Sequence, residues 1–481
     1  MTRSGGELAV RLSRLVQVPT VTPADNDPLS DDVARVFATF QELLRELYPT
    51  VFATAEVTVV GRAGLLLRLA GVARGQSSET LRQAGGTDGG AQGATTLGPV
   101  LLMAHQDVVP APAEDWAAAG WTHAPFAGTV AEGEDGLTVY GRGTLDDKGS
   151  MLVLLEAVED LLVQGWRPHH DLYLELGGDE EIDGPSAVAA IDELERRGVV
   201  PALVVDEGGA VTTGLVPGLT RQVAVVGVAE KGVTNLEITV SADPRKPAHG
   251  STPPRRGATA GLGRAIAALE RNPHPAALDD IAVRLFTDLA PHVPGPLGRL
   301  LARSDQLRPL LARVFPLAGP ELAAMVRTTT AATMLRGSSA PNVIAATATA
   351  IVNMRVATNS TVAEATRHVE KVVRRAVGRG LEVQVRVVEG HEPTQASPFG
   401  EGWEAVAAAI GVAYPDALTV PYTMLGASDA RHAARIASAV YRFSPLYMTA
   451  AQRAGVHGVD ERVTADSLVR GVRFYRALLE G

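Results

Sequence analysis

Apolar runs in this chain repeatedly end in a cluster of acids or a histidine. Val100–Met103 leads into His105-Gln106-Asp107, Leu172–Leu176 into Asp179-Glu180-Glu181, and Leu203–Val205 into Asp206-Glu207. Asp146-Asp147-Lys148 and, far along the chain, His457 complete the set. The apolar runs read as strands, and in an open α/β sheet ligands bind at the strand carboxyl ends. Carboxylates and imidazoles gathered there are the donors that a pair of divalent cations needs. One such cluster would carry little weight. Five in this order point to a two-metal hydrolase site.

At 481 residues the chain exceeds the usual size of one domain, so two are expected, each with its own core. Lys+Arg 44 against Asp+Glu 54 leave a net charge of −10, with no long basic tract, which argues against nucleic acid and anionic membranes as partners. There is no cysteine, so a metal must be held by His, Asp and Glu. Met1 to Leu12 carries no apolar core of a signal peptide, and no apolar run is long enough to span a bilayer. The expectation is a soluble, cytoplasmic protein.

From Val100 to about Val205 strands alternate with helices, clearest over Met151–Val163 and Ser186–Arg197. That alternation predicts a mostly parallel sheet covered on both faces. Gly71–Gly98, rich in Gly, Ser, Gln and Thr, reads as a surface insertion, and Pro19–Pro28 as a loop between helices. The texture changes near Arg221. Val223–Ala229 and Asn235–Val240 read as paired strands, followed by a helix over 258–271, strands 346–356 and 381–388, and a helix over 362–377 between them. Pro273–Pro320 is Pro- and Leu-rich and shows no chemistry of its own. The predicted organisation is therefore a catalytic domain over 1–220 and 391–481, interrupted by an α+β unit over 221–390.

Each cluster also has a bland reading. His105 alone would be a loop histidine, with Asp107 orienting its ring if it binds metal. Asp146 and Asp147 precede a helix and suit an N-cap, although Gly141-Arg142-Gly143 ahead of them permits a tight metal-bridging loop. The three acids Asp179-Glu180-Glu181 would repel one another without a cation. Asp206-Glu207 could be turn acids. His169-His170 and the remaining histidines fall in loops or on solvent faces, and the basic stretch Arg367–Arg379 reads as a solvated helix face.

Taken together the motifs resemble the di-zinc aminoacylase and carboxypeptidase family. The match runs through Leu101–Pro110, Glu114-Asp115-Trp116, Gly141–Gly149, Gly178–Ile182, Val205–Gly209 and Glu230-Lys231-Gly232. Val440–Phe443 and His457–Arg462 look most like the branch of carboxypeptidase S and the N-acyl-amino-acid hydrolases. The resemblance implies an aminopeptidase-like α/β catalytic domain with an inserted lid and dimerisation domain, and two Zn2+, cobalt or manganese being possible. It implies that Asp146 bridges, His105 and Asp206 complete one metal site, and Glu181 and His457 the other. Glu180 would be the general base and Asp107 the residue orienting His105. From the lid, His249 would reach the oxyanion across a homodimer interface, Asn342 would bind substrate, and Arg355 would clamp a free carboxylate. Gly426 and Ser428 would line the substrate site. Relatives often carry Gly before Thr-Asp where this chain has Ala427-Ser428-Asp429, and the stretch 243–248 lacks the Gly-Gly usual before His249.

The implied activity is hydrolysis of an amide bond next to a free carboxylate, in a dipeptide, a peptide C-terminus or an N-acyl amino acid. The rival is a catalytically silent binding protein, whose signature would be loss of the base or a ligand. Glu180 and all five ligand positions are present.

Overall fold

The computed structural model describes residues 3–23, 29–72, 97–243, 245 and 249–481. Most of the Gly71–Gly98 insertion, part of the Pro19–Pro28 loop and most of 244–248 lie outside the described residues. The main sheet runs, edge to edge, Glu56–Val60, Gly64–Leu69, Leu172–Gly177, Val100–His105, Leu203–Asp206, Val440–Arg442, Val223–Glu230 and Leu418–Met424. Its centre is parallel: Val100–His105 lies between Leu172–Gly177 and Leu203–Asp206, and Val440–Arg442 follows. The alternating side-chain direction of a strand explains how both faces are filled. Leu102 and Ala104 join the core beneath the helices Gly5–Val16, Lys148–Val163, Glu401–Ala413 and Ala465–Glu480. Leu101 and Met103 point the other way, toward Pro185–Arg196.

The second unit is a four-stranded antiparallel sheet in the order Thr329–Arg336, Thr347–Val356, Gly232–Ser241, Glu382–His391. Alternate residues of Gly232–Ser241 are buried beneath the helices Ala258–Arg271 and Val362–Val377. Two features depart from the sequence reading. Val223–Glu230 does not pair with the strand after it; it stays in the main sheet, parallel to Leu418–Met424. The inserted unit therefore begins at Gly232, not at 221. Only Lys231 separates the two strands, and the break is invisible in composition because both are rich in β-branched residues. The helices between Asp280 and Met325 also leave the inserted sheet, packing instead with Val223 and Val420 of the main sheet's edge. Thr329–Arg336, an edge strand with an exposed face, was not anticipated.

Helix Ala465–Glu480 crosses Lys148–Val163 closely at Gly471, where an added Cβ would stand 2.9 Å from Val153 Cγ2. Interiors packed this tightly do not absorb extra methyl groups cheaply. Gly471→Val is expected to destabilise the fold by about 1–3 kcal/mol, measured by urea denaturation. A wild-type midpoint would show that this contact yields.

Candidate metal centre

The strand Val100–His105 ends on a buried imidazole, and a loop and a short turn bring three carboxylates to it. His105 Nε2 lies 2.9 Å from Asp146 Oδ1 and 3.7 Å from a carboxylate oxygen of Glu207. The other Asp146 oxygen lies 3.0 Å from Nε2 of His457, which is itself 3.1 Å from Glu181. Two donor groups result, His105–Asp146–Glu207 and Asp146–Glu181–His457, each with its donor atoms within 4.8 Å of one another. Asp146 belongs to both. It offers one oxygen to each imidazole, the arrangement a carboxylate shared by two cations requires.

The sequence reading put Asp206 in the first group; the structure puts Glu207 there. Asp206 is the last residue of its strand, and its buried carboxylate accepts the amides of Glu207 and Ala430. Glu207, one residue past the strand end and one methylene longer, reaches the cluster. The same division recurs across the site. Asp107 accepts the amides of Glu180 and Glu181, at 3.1 and 3.2 Å, while lying against the His105 ring nitrogen. Asp179 accepts the Ser186 amide and Asp147 the His105 amide. Asp147 precedes the helix at Lys148 but makes no side-chain cap there. Asp107, Asp147, Asp179 and Asp206 hold backbone amides, whereas Asp146, Glu180 and Glu207 face the cavity.

Glu461 has a function the sequence reading missed, although it stands in the quoted His457–Arg462 motif. Wholly buried, it accepts from Arg142 Nη1 at 2.6 Å and from the amides of Gly143, Leu145 and Asp146. It ties the loop bearing Asp146 to the segment bearing His457. A buried acid four residues after a candidate ligand, with an arginine in the earlier motif, was the available signal.

Burial, and then the neighbouring Asp146, push Glu207 well above the usual carboxylate range; burial and Glu207 do the same to Glu180. Burial opposes charge on His105, but its contacts with Asp107, Asp146 and Glu207 outweigh it and raise the ring well above its ordinary value. Hydrogen bonds to Asp146 and Glu181 raise His457 to about 10. Asp146, although buried, is held below the carboxylate range by the two imidazoles.

Residues 101–481 match the family described as Peptidase family M20/M25/M40. The chain belongs to that family. It is 31% identical over 476 residues to the human protein named N-fatty-acyl-amino acid synthase/hydrolase PM20D1, covering 98% of this chain and 86% of the other. It is 29% identical over 484 residues to a Dictyostelium discoideum protein named probable carboxypeptidase S-like 2, covering 100% of this chain and 86% of the other. Its fold resembles the M20 family metallo-carboxypeptidase Sso-CP2 of Sulfolobus solfataricus, with a TM-score of 0.62 at 16% identity over 98% of both chains. Human carnosine dipeptidase 1 gives 0.64 at 15% identity, covering 99% of this chain and 95% of the other. The chain is thus a hydrolase of a metallopeptidase family. Its donor set of imidazoles and carboxylates fits hard or borderline divalent cations.

The remaining candidates are dispersed. Glu180 and Gly426 line a cavity of about 530 Å³ together with Asp146, Glu207 and His457. Ser428 does not face it: the side chain is wholly buried, and its hydroxyl and amide donate to Glu230, which also pairs with Arg442. Its role is to hold the loop, a correction to the reading as a substrate contact. His249 and Asn342 lie in the inserted unit, away from this cavity, joined where the Gly250 amide donates to the Asn342 carbonyl. The exposed His249 ring meets Ser251. Arg355, half-buried on Thr347–Val356, makes no hydrogen bond or ion pair among the described residues, and lies within electrostatic reach of Asp183 and Arg431. Among the described residues no helix is long and apolar enough to cross a membrane.

Two outcomes follow. Glu207→Ala should hold about half the divalent metal of the parent chain and Asp206→Asn the full complement; metal analysis after dialysis decides, and the reverse result would restore Asp206. Second, Glu207, Glu180, His105 and His457 all have raised values without cations, so the stability they supply is present at low pH and lost as pH rises through the folded values. Asp146 alone acts in the opposite sense. Cations replace those protons. The gap in Tm between metal-loaded and chelated protein should therefore widen from about pH 6 to about pH 9, read by thermal melts. A gap independent of pH would contradict this.

Proposed function

We propose that this chain is a zinc-dependent amidohydrolase that cleaves the amide bond of N-acyl amino acids, the acyl group being apolar. The observation that carries the reading is the cavity itself. Asp146, Glu180, Glu207 and His457 line it together with Leu215, Val225, Leu285, Met325, Tyr422 and Met448, and the polar Thr212, Ser444, Glu321 and Arg453 complete a wall that is mostly apolar away from the donors. A peptide of that length would set repeated backbone amides against these apolar side chains, with few partners for them. An acyl chain would not. The human relative's name, a fatty-acyl-amino acid synthase and hydrolase, agrees with this chemistry. The carboxypeptidase S-like relative supports the second reading, a peptidase acting beside a free C-terminal carboxylate.

In this proposal His105, Asp146 and Glu207 would hold one Zn2+ and Asp146, Glu181 and His457 a second; cobalt or manganese would suit the same donors. Bound cations would polarise the scissile carbonyl and lower the pKa of a water. Glu180 takes the proton of the attacking water and delivers it to the leaving nitrogen. Asp107 keeps the Glu180–Glu181 turn and the His105 ring in place. Arg355, a half-buried guanidinium without a side-chain partner among the described residues, is suited to receive the amino acid's carboxylate as a planar fork. Asn342 and the partner subunit's His249 would act from the inserted unit of a homodimer, His249 as donor to the developing oxyanion. Retention of Glu180 beside the donors argues against a silent binding protein.

Glu180→Ala is expected to bind zinc normally and to lose about 100-fold or more of its hydrolytic rate, measured on a panel of N-acyl amino acids and dipeptides. Wild-type rates in that variant, with zinc bound, would rule out the mechanism.

A further inference from the structure

The apolar end of the catalytic cavity does not stop at the main sheet. Leu215, Leu285, Glu321 and Met325 line it on one side and a second cavity, of about 610 Å³, on the other. That second cavity lies within the helices Asp280–Leu289, Gly295–Leu301, Arg308–Ala318 and Pro320–Met325, the Pro- and Leu-rich stretch whose sequence showed no chemistry. Its walls include Phe286, Leu289, Leu300, Leu301, Leu311 and Phe315. Glu321 is the one lining residue with a charge, and its side chain is 76% exposed, 3.9 Å from Arg453. The carboxylate therefore serves the surface.

This second cavity opens partly to solvent, with Val314 exposed on its wall, so it keeps an apolar lining in contact with water that an apolar guest would cover. Apolar cavities that persist take apolar ligands rather than water. The lining offers no side-chain donor and no interior acceptor, which excludes a peptide or a sugar, both of which carry polar groups needing partners. The shared wall is built from Leu215, Leu285, Met325 and the solvent-facing Glu321, and Met325, unbranched and flexible, is a side chain that can move aside for a thin, linear guest.

We propose that the two cavities form one acyl channel, and that the helical layer from Asp280 to Met325 is a chamber for the distal part of a long, unbranched hydrocarbon chain whose amide end lies beside Asp146 and Glu180. The chamber sets acyl-chain length. This rests on the amidohydrolase reading of the catalytic cavity, but the chamber can be tested apart from it. Chains that end within the first cavity do not reach the chamber. Longer ones do, and each further methylene buried there raises kcat/KM by about fourfold until the chamber is full.

The test uses the zinc-loaded full chain and a series of straight-chain N-acyl amino acids from acetyl to stearoyl. Wild-type kcat/KM should climb with length, mainly through KM. Leu300→Trp and Val314→Trp place a large side chain in the wall from half-buried and exposed positions, which limits the risk to folding. Both should lower kcat/KM for the longest chains by more than about tenfold relative to the acetyl substrate, moving the optimum to shorter chains. A length profile unchanged in both variants would overturn the chamber. If no N-acyl amino acid of any length is cleaved, the amidohydrolase reading falls instead. The chamber is then judged by binding of a fluorescent long-chain fatty acid: wild type should bind it, both tryptophan variants at least about tenfold more weakly, and equal binding in all three would overturn the proposal.

Discussion

Asp146 has to serve two imidazoles at once, and the rest of the site is arranged to let it. Its oxygens face His105 at 2.9 Å and His457 at 3.0 Å, yet the two histidines are separated by most of the chain. A carboxylate so shared works only if its backbone cannot drift. Glu461 provides that restraint by accepting the Asp146 amide, two other loop amides and the Arg142 guanidinium within a dry interior. Hydrogen bonds to a charged acceptor are stronger than neutral ones, and removing the acceptor would strand several buried donors. The last motif of the chain is thereby clamped to the loop that carries the shared carboxylate.

Apart from Asp146 and Glu461, the acids around this point divide by length of side chain. Asp107, Asp147, Asp179 and Asp206 each accept backbone amides at a strand end or turn. Glu180, Glu181 and Glu207, with one more methylene, reach past the backbone toward the cavity or a histidine. So many carboxyls in one place are mutually unfavourable when charged, and burial sharpens the cost. Cations relieve both, so cation binding and the stability of this corner of the fold are coupled.

The apolar side of the molecule complements that polar corner. Main-sheet strands Val223–Glu230 and Leu418–Met424 extend the catalytic sheet to an edge that the helices Asp280–Met325 cover. Because those helices pack on the sheet rather than on the inserted unit, their cavity shares the wall Leu215, Leu285, Glu321 and Met325 with the catalytic one. The insertion in the sequence is therefore not one structural unit. Its strands form a separate sheet, and its helices enlarge the first domain.

The sequence by itself determined the parallel centre of the sheet, since short apolar runs alternating with helical periods admit few other packings, and the ordered motifs identified most of the candidate donors. Tertiary structure decided what local pattern does not encode. Asp206 and Glu207 are adjacent acids with equal claim by composition; only the end of the strand and the amide of Ala430, over two hundred residues away in sequence, assign one inward and the other to the cluster. Ser428 bears a hydroxyl suited to substrate until Glu230 is seen to hold it. The boundary at Gly232 and the placement of the Leu-rich helices were equally hidden, because two strands rich in β-branched residues look alike whichever sheet they join. Chemistry is carried by residue type and can be read locally. Direction depends on long-range backbone partners, and those exist only in the folded chain.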